Sequence, residues 1–353
     1  MSQELIYLIV ITSIILGILM FDLLFVGRNV HEISFKEASL WTALWVGCAM
    51  GFYVFLRFHG LEIHGVEDMA GLEALRDKYA PSLKLAADGF AANAARYQVN
   101  MATDYLTGYV IEYTLSMDNV FVIMAILTGF GVGKKYYKEV LFWGILGAIV
   151  LRFLFIFVGA ALIQKFEWML LVFGLFLIFT GVKMFLSRNQ EEHINTQDHW
   201  LVKFLARRRM IFPRYVKGYF FIKSHGRRLM TPLFMVLLLI EFTDIVFALD
   251  SIPAIFAVTR DPLLVFFSNI FAIIGLRSLF FLLARVVHLF HYLKVGISVL
   301  LAYVGVKLLA HEWLDHIGFK SVYSLYIIFG ILAICIIASI LFPKKPAPIE
   351  AAS

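Results

Sequence analysis

Apolar and polar positions along this chain fall into long blocks and do not mix at the period of a surface helix or a half-buried strand. A helix needs about 20 apolar residues to cross a hydrocarbon core of about 30 Å. Nine blocks read that way: roughly Leu5–Val26, Leu40–Phe58, Tyr105–Phe130, Val140–Ile163, Trp168–Leu186, Pro232–Val258, Leu263–Val287, Tyr292–Leu309 and Ser324–Phe342. Backbone groups in lipid find no water, so each block is expected to be a helix that satisfies its own hydrogen bonds. The expected fold is an all-α polytopic membrane helix bundle of about nine transmembrane helices, a single membrane domain over residues 1–353. No Lys or Arg precedes the first block, which is too long for a cleavable signal core, so it is read as span one.

Two of the gaps are long. Residues 59–101 hold six acids against four Lys or Arg, whereas 188–230 hold ten Lys or Arg against three acids. Basic loops stay in the cytoplasm, so the second gap is a basic cytoplasmic loop and the first an extracytoplasmic insert. That choice also places Lys134, Lys135, Lys138, Lys344 and Lys345 inside. The amino terminus is then expected outside and the carboxyl terminus in the cytoplasm. Within the gaps, the pattern predicts a helix near Leu72–Tyr79 ended by Pro81, and a basic amphipathic helix at His199–Arg209 on the inner leaflet. Strand-like residues over Tyr219–Met230 flank a hairpin turn at Ser224-His225-Gly226. For each of these, a plain solvated connector is the preferred reading.

Composition agrees with the blocks. Hydrophobic residues make up 61%, charged residues 16%, and the mean hydropathy is +0.84, which leaves no polar skin for a soluble domain. The net charge of +6 sits in the gaps and reflects topology, so no nucleic-acid partner is expected. Cys48 and Cys335 both lie in apolar runs, which argues against a disulfide framework.

Spans three and six carry related strings. Glu112-Tyr-Thr-Leu-Ser-Met-Asp118-Asn119 and Asp244-Ile-Val-Phe-Ala-Leu-Asp250-Ser251 both read as an acid, five residues, Asp and a small polar residue. Spans four and seven match at Arg152 and Arg277, and spans five and eight at Gly181-Val-Lys183 and Gly305-Val-Lys307. The offsets are 132, 125 and 124 residues, in register through three spans. Repeat A then covers about 102–187 and repeat B about 231–311. An odd number of spans per copy makes the repeat inverted, as in many secondary transporters whose sites lie near the midplane. Antiparallel copies would set Asp118 level with Asp244, and Glu112 level with Asp250, in tiers about 9 Å apart.

A carboxylate at the bilayer centre costs about 2.5–3.5 kcal/mol even on lenient scales. Glu112 and Asp118 in span three, with Glu241, Asp244 and Asp250 in span six, make five acids; Arg152 and Arg277 are the basic residues at comparable depth. The surplus of negative charge calls for protons or metal cations. A set of structural salt bridges is the competing reading for the acids, and the preferred one for Arg152 and Arg277. Carboxylates with Asn119, Ser251 and backbone carbonyls are hard oxygen donors that suit Mn²⁺, Ca²⁺ or Mg²⁺. The candidate metal ligands are therefore Glu112, Asp118, Asn119, Glu241, Asp244, Asp250 and Ser251. Pro253 removes one helical hydrogen bond and could free the Leu249 carbonyl. Asp22 lies near the cytoplasmic end of span one, where a vestibule role and a simple interfacial position compete. The histidines 288, 291, 311 and 316 lie near the ends of span eight, where a plain interfacial position is preferred over pH sensing. Spans three and six hold no Ser/His or metal–His constellation, so no enzyme activity and no tightly bound cofactor are expected.

Glu112–Val120, Glu241–Ala254, Ala254–Thr259, Gly147–Arg152 and Phe179–Lys183 together resemble the TerC/Alx family of bacterial membrane proteins, over most of the chain. The resemblance implies a multi-pass protein of the bacterial inner membrane that exports Mn²⁺ from the cytoplasm, with the acids of the two strings as its ligands. Proton exchange would be the natural coupling. A Ca²⁺/H⁺ antiporter and a non-transporting membrane scaffold in stress resistance are the alternatives.

Overall fold

The computed structural model describes residues 3–21, 34–166, 168–187, 219–224, 227–286, 292–310, 313–314, 319 and 321–342. The helices are α1 (Gln3–Phe21), α2 (Phe35–His64), α3 (Met69–Tyr79), α4 (Phe90–Gly129), α5 (Tyr137–Lys165), α6 (Met169–Leu186), α7 (Pro232–Phe256), α8 (Pro262–Val286), α9 (Leu293–Leu309) and α10 (Ser321–Leu341). Strands β1 (Phe221–Ser224) and β2 (Arg227–Met230) pair antiparallel between α6 and α7. The protein is a polytopic helical membrane protein. Six described helices are long and apolar enough to cross a bilayer: α2, α4, α5, α6, α7 and Val322–Leu341 of α10. Shorter apolar stretches occupy Gln3–Ile18 of α1 and Pro262–Leu276 of α8.

The helices around the 59–101 insert overrun their apolar blocks. α2 starts five residues before Leu40 because Ser34 caps it, its Oγ accepting from Glu37 N at 3.2 Å. It ends where Gly65 turns left-handed at φ 66° and bonds back to Glu62. α4 spans 40 residues, about 60 Å at helical rise and twice a hydrocarbon core. Gly60 of α2 packs on Met101 of α4, so the overrunning ends hold each other. Only 65–89 remains between these helices, and α3 fills part of it, capped by Asp68 Oδ1 at 2.7 Å from Gly71 N. The helix predicted near Leu72–Tyr79 is thus three residues longer at its start. The two strands read within 219–230 pair antiparallel, with Ser224 opposite Arg227, while the turn residues His225 and Gly226 lie outside the described residues. His199–Arg209, Asp22 and His288, His291, His311 and His316 lie outside the described residues.

Small residues set the packing, as expected where lipid gives no hydrophobic drive between helices. A Cβ on Gly174 of α6 would stand 3.1 Å from the Gly305 carbonyl oxygen of α9, and one on Gly181 only 2.7 Å from that of Ser298. Adding 124 to 174 and 181 gives 298 and 305, so the 174–305 and 181–298 contacts exchange under the repeat offset. α4 packs on α8 as α5 packs on α7, and α4 and α7 meet each other. Phe179, Val150, Leu40 and Ile334 point outward with most of their surface exposed, as lipid-facing side chains should.

Candidate functional site

The site forms where α4, α5, α7 and α8 meet around Arg152. Its guanidinium is 1% exposed and Glu112 is fully buried. Arg152 Nη1 donates to Glu112 Oε1, to Asn269 Oδ1 at 2.6 Å, and lies 3.4 Å from Ser251 Oγ. Nη2 donates to Asp244 Oδ1 at 3.1 Å, with Nε 3.5 Å from Oδ2. Ser116 Oγ adds a bond to Glu112 Oε1 at 3.2 Å, while Glu112 Oε2 is buried with no hydrogen-bond partner among the described residues. One cation therefore stands between two carboxylates from different helices.

Helix geometry explains which motif residues gather here. Successive residues turn by about 100°, so seven residues nearly return to the same face and six fall about 120° short of alignment. Ser251 therefore shares the face of Asp244, and Asn119 shares that of Glu112. Asp118 and Asp250 project elsewhere. Asn119 is buried and lines a cavity with Asp244, Thr243, Ile123, Leu141 and Gly144. Asp118 is half-buried on α4. Asp250 is half-buried and has Thr180 and Lys183 of α6 as neighbours.

Glu241 approaches α5 at Gly147, where its carboxylate occupies the space a Cβ would need. Its Oε2 is buried with no hydrogen-bond partner among the described residues. Gly147 and Arg152 thus both serve acids of α7, the first by leaving room and the second by supplying charge.

The expected tiers set Asp118 level with Asp244 and Glu112 level with Asp250; the contact that forms is between Glu112 and Asp244, joined by Arg152. These are the first acids of the two strings, offset by 132 residues. Equivalent residues of antiparallel copies can meet only close to the axis relating them, so the crossing point of α4 and α7 decides the pairing. Depth alone could not. The Arg277 side chain lies outside the described residues. Among the described residues, no three of His, Cys, Asp and Glu converge closely enough to enclose a metal ion.

Asn269 was missed from the sequence, although a polar amide within an apolar span was a signal, because an unpaired amide in lipid is costly. A second buried cluster was missed as well. His64 Nδ1 lies 2.8 Å from Glu4 Oε1 and Nε2 2.9 Å from Asp261 Oδ2. Asp261 also caps α8, its Oδ1 accepting from Leu263 N at 2.9 Å. The Asp261-Pro262 pair was the legible sign, since an acid at the cap with Pro in the first turn marks a helix start.

Comparison with known proteins agrees with this architecture. The family described as "Integral membrane protein TerC family" matches residues 97–347. The chain is 42% identical to an uncharacterized membrane protein of Myxococcus xanthus, STKORF319, over 95% of this chain and 92% of that one. It is 38% identical to Alx of Escherichia coli (strain K12), provisionally described as a membrane-bound redox modulator, over 93% and 91% of the two chains. It is 33% identical to an uncharacterized membrane protein of Rickettsia bellii, over 94% and 96%. No solved structure matches. A family match across most of the chain, with relatives aligned nearly end to end, leaves one conclusion: the protein belongs to the TerC family of integral membrane proteins.

Proposed function

We propose that this chain moves a hard divalent cation, Mn²⁺, out of the cytoplasm of a bacterium across its inner membrane, in exchange for protons. The observation that carries the reading is the placement of carboxylates inside the bundle. Arg152 offers one positive charge to Glu112 and Asp244 together. Glu241 adds a carboxylate with an unbonded buried oxygen, and Asp244 and Asn119 border one cavity. Surplus carboxylates at membrane depth mark ion and proton pathways, and all-oxygen donors suit Mn²⁺, Ca²⁺ or Mg²⁺. The choice of Mn²⁺ and of outward transport rests on the family resemblance.

The reciprocal contacts of Gly174 with Gly305 and Gly181 with Ser298 support treating spans three to five and six to eight as inverted copies. Such copies can rock against each other around a shared site. The basic 188–230 loop supports an orientation with the amino terminus outside and the carboxyl terminus in the cytoplasm.

The test is Mn²⁺ flux by the purified protein in liposomes, with metal and pH gradients varied separately. Wild type should carry Mn²⁺ against a proton gradient. Asp244→Asn and Glu241→Gln should raise cellular manganese with protein abundance unchanged. Normal efflux from both variants would overturn the site assignment. Preferred Ca²⁺ flux would make the protein a Ca²⁺/H⁺ antiporter, and copurified partners without flux of any divalent ion would favour a scaffold.

A further inference from the structure

The two carboxylates that share Arg152 are not held alike. On the Glu112 side the guanidinium donates to a fully buried carboxylate and makes a 2.6 Å bond to Asn269. On the Asp244 side its bonds are 3.1 and 3.5 Å, long for a charge-assisted pair, which typically closes to about 2.7–2.9 Å. Exposure follows the same split. Glu112 is 0% exposed, whereas the Asp244 side chain keeps 13% and borders the cavity shared with Asn119 and Thr243. One partner anchors Arg152; the other borders the small cavity.

Arginine stays charged at any working pH, so it cannot leave the site by losing a proton. A bare carboxylate enclosed beside it would carry a desolvation cost of several kcal/mol. We propose that Arg152 is a built-in stand-in for the transported cation: when no metal is bound, its guanidinium neutralises Asp244, and an arriving divalent cation takes Asp244 from it. Glu112 and Asn269 keep hold of the guanidinium throughout. Arg152 is then a positioning residue and a competitor, not a ligand. Metal affinity is set by this competition, and the guanidinium helps expel the ion by reclaiming Asp244. The inference rests on reading the protein as a divalent-cation transporter.

Equilibrium Mn²⁺ binding to the purified full-length protein in detergent, paired with Mn²⁺ flux in liposomes, tests it. Arg152→Gln should bind Mn²⁺ roughly tenfold tighter or more, because a like charge close to the ion is gone, and its flux should fall. Arg152→Lys should bring the affinity back toward wild type. A purely structural arginine predicts unchanged or weaker binding in Arg152→Gln, and that result would overturn the proposal. Should Arg152→Gln fail to fold, Arg152→Gln with Glu112→Gln removes one charge of each sign and still releases Asp244. Tighter binding there supports the proposal; unchanged or lost binding sinks it. Wild type that binds neither Mn²⁺ nor Ca²⁺ would remove the transport reading itself, whereas wild-type binding with no gain in the variants removes only the role of Arg152.

Discussion

Two places in this protein put one cation between two carboxylates, and they differ in what surrounds the second carboxylate. At the centre, Arg152 links Glu112 of α4 to Asp244 of α7. Near α3, His64 of α2 links Glu4 of α1 to Asp261, the cap of α8. Each has one fully enclosed acid, Glu112 at 0% and Asp261 at 2% exposure. The second acid in the His64 cluster, Glu4, is 39% exposed at the chain's first helix. The second acid in the Arg152 cluster, Asp244, is 13% exposed and borders a small cavity beside Asn119. The His64 cluster ties three segments together and ends at a surface, which suits a clasp. The Arg152 cluster ends at this cavity, which suits exchange with an ion in the proposed function. On that proposal, similar ion-pair chemistry serves different ends according to where its looser partner points.

Removing the cation should separate the two most sharply. Arg152→Ala leaves Glu112 and Asp244 without a counter-charge, and breaking one side of a buried pair costs about 3–5 kcal/mol. A large fall in the thermal midpoint in detergent is expected, and Mn²⁺ added at saturating concentration should recover part of it. No recovery would make the central cluster a clasp like the other one.

Asp261→Ala comes next, because it loses both the charge pair and the cap. Asp261→Asn keeps the cap, since Asn caps as well as Asp, and isolates the charge. The Ala variant should lie below the Asn variant by about 1 kcal/mol, with Mn²⁺ affinity the same in both. Changed affinity would tie the His64 cluster to ion handling.

Gly147→Ala probes the central region from another side. The new methyl must displace the Glu241 carboxylate, and overpacking costs about 1–3 kcal/mol. Slower Mn²⁺ flux is expected with that loss; full flux in liposomes would exclude Glu241 from the path. The smallest effect belongs to an exposed reference pair, Arg96 with Asp88 at 2.5 Å and 44% and 51% exposure. Arg96→Ala should cost about 0.2–1 kcal/mol. A cost as large as that of Asp261→Asn would mean that the His64 pair gains nothing from burial.

Much of the scaffold was legible because its causes are local. Apolar block length announces helices in lipid, and the pairing of β1 with β2 joins residues close in the chain. The overruns of α2 and α4 were not legible. Their extra turns are polar and are supported by Gly60 against Met101, a contact 41 residues apart in the chain. The acids of the site were found because a carboxylate in an apolar block is costly wherever the chain goes. Their pairing was not, because depth was inferred from counting residues, and the expected tiers followed from that count.

The sequence by itself determined that this chain crosses a membrane many times and that two of its helices carry acids within apolar blocks. Those conclusions need only transfer energies and the helical period, which act residue by residue. Only the tertiary structure decided that Glu112 meets Asp244, that Arg152 and Asn269 hold one side of the pair, and that Asp250 turns toward α6. Those choices depend on where α4, α5, α7 and α8 cross, and glycines allow side chains of distant segments to approach closely there, as Ser268 does at Gly108 and Ile240 at Gly144.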